Sequence, residues 1–200
     1  MPTIRELTKQ TDKNTDIVIV LDESGSMEEL KETVVKCFND FLKEQKEDGD
    51  DAFITLVKFN GDVNFIFRRK AISSAENIDN EDYTPKGTTA LYDAILSAVD
   101  DVERKNKNNS VIVAIITDGY ENSSKERDVN KVKEKIKEKE KLGWRFLFLA
   151  SNIDANAVAS SFGICSANTV SFMSNECGYK NMNSNLAADV ISYRTITRMN

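Results

Sequence analysis

Asp22, Ser24 and Ser26 stand at a spacing of two in "LDESGSM", directly after the apolar run Ile17 to Leu21. Three oxygen side chains on alternate residues of a loop can be turned towards one point. Two further oxygen clusters occupy similar settings: Asp118 follows the apolar run of "SVIVAIITDG", and Thr88 and Thr89 stand in "TPKGTTAL" just ahead of a helical pattern. Together Asp22, Ser24, Ser26, Thr89 and Asp118 offer two carboxylates and three hydroxyls, with no nitrogen and no sulfur. Such a set suits a hard cation, Mg²⁺ or Mn²⁺, which takes oxygen ligands in octahedral geometry and keeps part of its water. Ca²⁺ stays open as a third choice, and zinc is disfavoured.

Each piece alone has a simpler reading. Ser24 or Ser26 could cap a helix, with Glu28 or Glu29 completing a capping box. Thr88 and Thr89 could cap the next helix, and Asp118-Gly119 could be a plain turn. The metal reading gains from coincidence, because all three clusters fall at the carboxyl ends of strands, where open parallel sheets bind ligands.

The elements that must position them follow from periodicity. Ile17 to Leu21 is an uninterrupted apolar run, as in a strand covered on both faces. Met27, Leu30, Val34, Cys37 or Phe38, and Phe41 then recur at helical spacing. "AFITLVKF" and "VNFIFRR" read as a hairpin across Asn60-Gly61, a pair that tolerates positive φ in tight turns. A polar stretch from Ala71 to Lys86 is longer than most connections and marks a functional loop. Leu91, Ile95, Ala98, Val99 and Val102 form a second helical stripe, ahead of the strand ending at Asp118. Further elements are a helix over 129–142 with a solvated charged face, a strand over 144–150, a short helix over 154–162, a short strand over 169–172 and a closing helix over 186–196. Alternating strands and helices predict an α/β, Rossmann-like three-layer sandwich: a mostly parallel central sheet with one antiparallel edge strand and helices on both faces. Residues 1–15 read as an N-terminal extension and 16–200 as a single domain.

Composition removes several classes. The 200 residues contain no histidine, which excludes serine–histidine triads, histidine bases and zinc–histidine sites. A net charge of −6 argues against nucleic acid and anionic membrane as partners. No run approaches the roughly 18 apolar residues of a membrane span, and the polar N-terminus shows no export signal. Cys37, Cys165 and Cys177 match no zinc spacing and read as free thiols of a reducing compartment, so a cytoplasmic location is expected.

"DESGSM", "GTTAL" and "TDGYEN", in this order and at these strand ends, resemble the von Willebrand factor type A domain with its metal-ion-dependent adhesion site. The likeness is greatest to small intracellular bacterial and phage versions, through Leu21 to Met27, Gly87 to Ile95, Ile116 to Asn122 and "GWRFLFLA". The resemblance implies that Ser24 and Ser26 bind the cation through their hydroxyls and that Asp22 acts directly or through water. It also implies that Thr89, which directly precedes "ALYDAI", supplies the threonine, with Thr88 where the family usually has glycine. Asp118 would bind directly or through water. Hydroxyls quench the ion's charge incompletely, so the resemblance implies a metal-dependent interaction module that takes an Asp or Glu carboxylate of a protein partner.

Around this set, Glu23, Glu28, Glu29 and Glu121 are expected to make the rim acidic, Glu23 and Glu121 are also candidate partner contacts, and Lys86 is a candidate for orienting a partner's carboxylate. Tyr120, Asn122, Asn152 and Asp154 follow strands at the same edge and are candidate contacts. No activated nucleophile or paired general base is visible, so no enzyme is expected. The alternatives are a metal-dependent phosphoesterase-like hydrolase using the same cation, or a scaffold whose metal loop is vestigial.

Overall fold

The computed structural model describes residues 14–106 and 109–199. The expected extension over residues 1–15 lies outside the described residues except for Asn14 and Thr15, and Thr15 already opens the first strand. Among the described residues six strands form one sheet: β1 Thr15–Asp22, β2 Ala52–Phe59, β3 Val63–Ala71, β4 Ser110–Thr117, β5 Arg145–Ala150 and β6 Thr169–Ser171. Their order is β3-β2-β1-β4-β5-β6, parallel except for the β2–β3 edge pair. Five helices, α1 Lys31–Glu47, α2 Leu91–Lys105, α3 Val129–Lys141, α4 Ala155–Ser161 and α5 Glu176–Met199, cover both faces. The expected three-layer α/β architecture is the observed one.

The apolar runs explain the central strands. Every residue of β1 is buried. Ile17, Ile19 and Leu21 pack with α1 and α5 through Val34, Phe41, Met182 and Leu186, while Val18 and Val20 pack on the other face with Leu91, Ile95, Val132 and Ile136. Two filled faces place β1 and β4 at the centre of the sheet. The order of strands reverses between them, because β2 lies on one side of β1 and β4 on the other. Their carboxyl ends therefore meet at a topological switch point, the place where open sheets of this kind form a binding crevice.

Several elements differ from the sequence-based expectation. Met27 and Leu30 fold into a 3-10 turn, Gly25–Leu30, before α1 begins. The β2–β3 hairpin joins Phe59 to Val63 through the expected three residues, but neither Asn60 nor Gly61 takes positive φ. Asn60 instead accepts from the Asp62 N–H through its side chain at 3.0 Å. The polar stretch after β3 is packed down by Ile72, Ala75, Ile78 and Tyr83, all buried.

Helix α5 begins ten residues earlier than expected, at Glu176. Asn175 starts it by accepting from the Gly178 N–H at 2.8 Å. Tyr179, Met182, Leu186 and Val190 then continue the buried stripe. Gly178 is required here, since a Cβ would stand 2.1 Å from the Met173 carbonyl oxygen. The far end of α5 is held by Arg194, fully buried, which donates to the carbonyls of Gln45 and Gly49 at 2.7 Å and to Asp51 at 2.8 Å. Among the described residues no helix is long and apolar enough to cross a membrane.

Replacing Gly178 by alanine is expected to displace the start of α5 and cost about 1–3 kcal/mol in urea-monitored unfolding. An unchanged midpoint would show that the Met173 carbonyl yields without loss.

Candidate metal centre

The β1 strand delivers Asp22 to the crevice with no solvent exposure. Both of its carboxylate oxygens are engaged: Oδ1 accepts from the Ser24 N–H at 2.7 Å and Oδ2 from the Thr117 hydroxyl at 2.6 Å. Burial pushes the Asp22 carboxyl up to about 6, against the lowering effect of the bonds from Thr117 and Ser24. The first bond bends the chain so that Ser24 follows on the same side. The Ser24 and Ser26 hydroxyls are 3.1 Å apart, and Ser26 donates to Asp118 Oδ1 at 2.7 Å.

Asp118 directly follows β4 and is 4% exposed. Its carboxyl is also raised by burial, with the bond from Ser26 opposing. Its second oxygen, Oδ2, is buried and has no hydrogen-bond partner. A buried acceptor of this kind costs free energy unless something else meets it.

Thr89 reaches the same place from the loop before α2. It is 3% exposed, its N–H donates to the Asn122 side chain at 2.8 Å, and its carbonyl accepts from the Asn122 N–H at 3.0 Å. Gly119 makes room for it, since a Cβ there would be 3.2 Å from the Thr89 hydroxyl oxygen. Thr88 is exposed and turned towards Gly61, which lacks a Cβ at the point 3.0 Å from its hydroxyl. So Asp22, Ser24, Ser26 and Asp118 form one chain of contacts, and the Thr89 hydroxyl lies against the residue after Asp118.

The capping alternatives fare poorly. Ser24 occupies the cap position of the 3-10 turn but makes no side-chain cap bond, and Ala90, not a threonine, precedes α2. Among the described residues no three of His, Cys, Asp and Glu form a metal-type group. A cation here would rest on two carboxylates, three hydroxyls and water. The unmatched Asp118 oxygen beside two serine hydroxyls fits such an ion.

The rim departs from expectation at several places. Glu23 is 2% exposed, bonded to Lys58 at 2.9 Å and to the Thr84 N–H at 2.5 Å, so it does not face a partner. Glu121 turns inward as well, accepting from the N–H groups of Tyr92, Ser123 and Ser124. Asn122 is exposed, but its amide clamps Thr89. Glu28, Glu29, Lys86, Tyr120, Asn152 and Asp154 do face solvent. Tyr120 is 56% exposed, and its hydroxyl accepts from the Asp154 N–H at 3.2 Å.

Two residues that sequence reasoning passed over complete the support. Thr117 fixes the Asp22 carboxylate, and Tyr83 donates to the Asp22 carbonyl at 2.6 Å. A polar residue closing an apolar run was the available signal for Thr117. For Tyr83 it was a lone aromatic in a polar loop.

A mostly parallel sheet with buried oxygen side chains at its central switch point defines a Rossmann-like α/β domain. The chain belongs to the von Willebrand factor type A domain family, whose model matches residues 16–178. No curated protein matches the chain significantly by sequence. Among solved structures, the pilus adhesin SpaC from Lactobacillus rhamnosus GG superposes with a TM-score of 0.73 at 15% identity, covering 90% of this chain and 30% of the adhesin. Proximal thread matrix protein 1 from the mussel byssus, solved with a zinc-occupied metal-ion-dependent adhesion site, gives 0.68 at 15% identity over 89% of this chain and 46% of its own. Manganese-loaded TRAP protein from Plasmodium vivax gives 0.58 at 18% identity over 83% and 71%. This chain thus spans less than half of the adhesin and of the mussel protein, and identities this low establish the shared fold alone.

Because folding raises the Asp22 carboxyl from 3.8 to about 6, the folded protein holds this proton more tightly than the unfolded chain. The associated stabilisation, roughly 3 kcal/mol, is complete below about pH 4 and is lost as pH rises through 6. Without divalent ions, the urea midpoint is expected to fall between pH 4 and pH 6.5, and Asp22→Asn should flatten that fall. Parallel profiles for the two proteins would contradict the assignment.

Proposed function

We propose that this domain binds a divalent cation, Mg²⁺ in the first place, at Asp22, Ser24, Ser26, Thr89 and Asp118, and through it takes an Asp or Glu carboxylate of a protein partner. The observation that carries this reading is the buried, unmatched Oδ2 of Asp118, whose other oxygen accepts from the Ser26 hydroxyl with the Ser24 hydroxyl 3.1 Å further on. A cation supplies what that oxygen lacks. Asp22, with both oxygens already engaged, acts on the ion through water, so that neutral hydroxyls carry much of the contact. An ion held this way keeps positive charge to offer, which is the chemistry that attracts an external carboxylate.

Family membership and the adhesin and matrix proteins among the structural neighbours support binding rather than catalysis. The chain has no histidine to serve as a base, and no observation favours the hydrolase reading. The zinc-occupied adhesion site of the mussel protein supports divalent occupancy of this motif, and the TRAP structure is of a protein loaded with manganese. The mussel protein also removes the ground for excluding zinc from donor type alone. Lys86, Tyr120 and Asn152 are the proposed contacts around the ion; Glu23 and Glu121 are withdrawn from that role. The three free thiols support placement in the cytoplasm.

Calorimetric titration of Mg²⁺, Mn²⁺, Ca²⁺ and Zn²⁺ into purified protein is expected to show one site. At one hundred times the dissociation constant, the melting temperature should rise by about 5–10 °C. Asp22→Ala should abolish that rise. No heat from any of the four ions at millimolar concentration would overturn the reading, and Mn²⁺-dependent phosphoesterase turnover that disappears in Asp118→Ala would replace it with the hydrolase.

A further inference from the structure

Glu23 is the charged residue inside the metal motif that cation binding does not account for. Side chains alternate along this segment, so Glu23 leaves the opposite side from Asp22, towards Lys58 on β2. A carboxylate is not buried without compensation, and here both compensating groups come from outside the motif. Lys58 Nζ lies 2.9 Å from Glu23 Oε1, and the Thr84 N–H donates to the same oxygen at 2.5 Å. Lys58 also donates to the carbonyl of Asp82 at 2.6 Å. Backbone bonds extend the seam: Lys86 N–H donates to the Glu23 carbonyl at 2.9 Å, and Gly25 N–H to the Gly87 carbonyl at 3.2 Å.

All of these bonds join the motif loop, directly or through Lys58, to one segment, Asp82–Gly87, and that segment runs two residues later into Thr89. Asn122 holds Thr89 from the other side. Without the Glu23 anchor, the approach to Thr89 would be fixed on the motif side by the Tyr83 hydroxyl on the Asp22 carbonyl and by the backbone bonds of Lys86 and Gly87. We propose that Glu23 is a positioning residue of the metal centre, which together with Lys58 fastens the Asp82–Gly87 segment to the motif loop and thereby places the Thr89 hydroxyl against Gly119, next to Asp118 in the chain. The inference rests on the metal reading above and adds the coupling between two of its loops.

The test is Mn²⁺ binding to the full chain, followed by the loss of the free-ion paramagnetic resonance signal. Removing a group that orients a metal ligand typically weakens binding 10–100-fold, and Glu23→Ala is expected to fall in that range. Glu23→Gln keeps the acceptor for Thr84 and should recover most of the affinity; it also reports on the site should the alanine variant not fold. If Glu23 acts through Thr89, the double variant Glu23→Ala/Thr89→Val should bind no more weakly than Thr89→Val alone. Additive losses, or wild-type affinity in Glu23→Ala, would overturn the inference while leaving the metal site standing. In metal-free protein, amide hydrogen exchange at Thr84 and Lys86 should accelerate in Glu23→Ala with Val18 and Val113 unchanged; unchanged exchange at Thr84 would also overturn it. Wild-type protein that takes up no Mn²⁺ overturns the metal reading itself, and this inference with it.

Discussion

Two carboxylates are buried side by side at the ends of adjacent central strands, and one of their four oxygens has nothing to bond. Asp22 and Asp118 lie where the strand order reverses, so the apolar packing that makes β1 and β4 central is also what removes these groups from water. Left alone, the arrangement favours protonation, and burial raises both groups accordingly. Hydroxyls from Thr117 and Ser26 and the Ser24 N–H satisfy three of the oxygens. The fourth is the reason the crevice invites a cation.

The surrounding loops make sense as devices that bring neutral oxygens to this acidic pair without crowding it. Gly119 leaves space for the Thr89 hydroxyl, Asn122 grips the Thr89 backbone from both its amide groups, and Tyr83 pins the carbonyl of Asp22. The long segment between β3 and α2 is therefore framework as well as connection. Its buried side chains, Ile72, Ile78 and Tyr83, anchor it in the same core that α1 and α5 share. At the opposite end of the molecule, Arg194 and Arg198 tie α5 to Asp48 and Asp51, which keeps that layer fixed under the site.

How much of this the sequence discloses depends on whether a residue's role is local. Ile17 to Leu21 and Val111 to Ile116 announce buried strands because both faces must be apolar, and the oxygen clusters following them announce the crevice. The five candidate ligands follow from residue types and spacing together with the family resemblance, which implies Thr89 rather than Thr88. Roles set by distant partners are not visible in this way. Glu23 looks like a rim acid until Lys58 and Thr84 are brought beside it, and Glu121 likewise until the start of α2 meets it. The first third of α5 is hidden by its asparagines and by Gly178, whose missing side chain is explained only by the Met173 carbonyl. Asn60-Gly61 suggested a turn with positive φ, yet the Asn60 side chain, accepting from the Asp62 N–H, stabilises one without it.

The claim on which the account stands is that Asp118 Oδ2 is left unmatched for a metal ion. A crystal structure of the protein grown in saturating Mn²⁺ tests it most directly, through anomalous scattering. The account predicts one strong peak within direct bonding distance of Asp118 or its ordered water and of the Ser24, Ser26 and Thr89 hydroxyls. A map without that peak, in which Asp118 Oδ2 is instead met by a protein donor or by water alone, would contradict it.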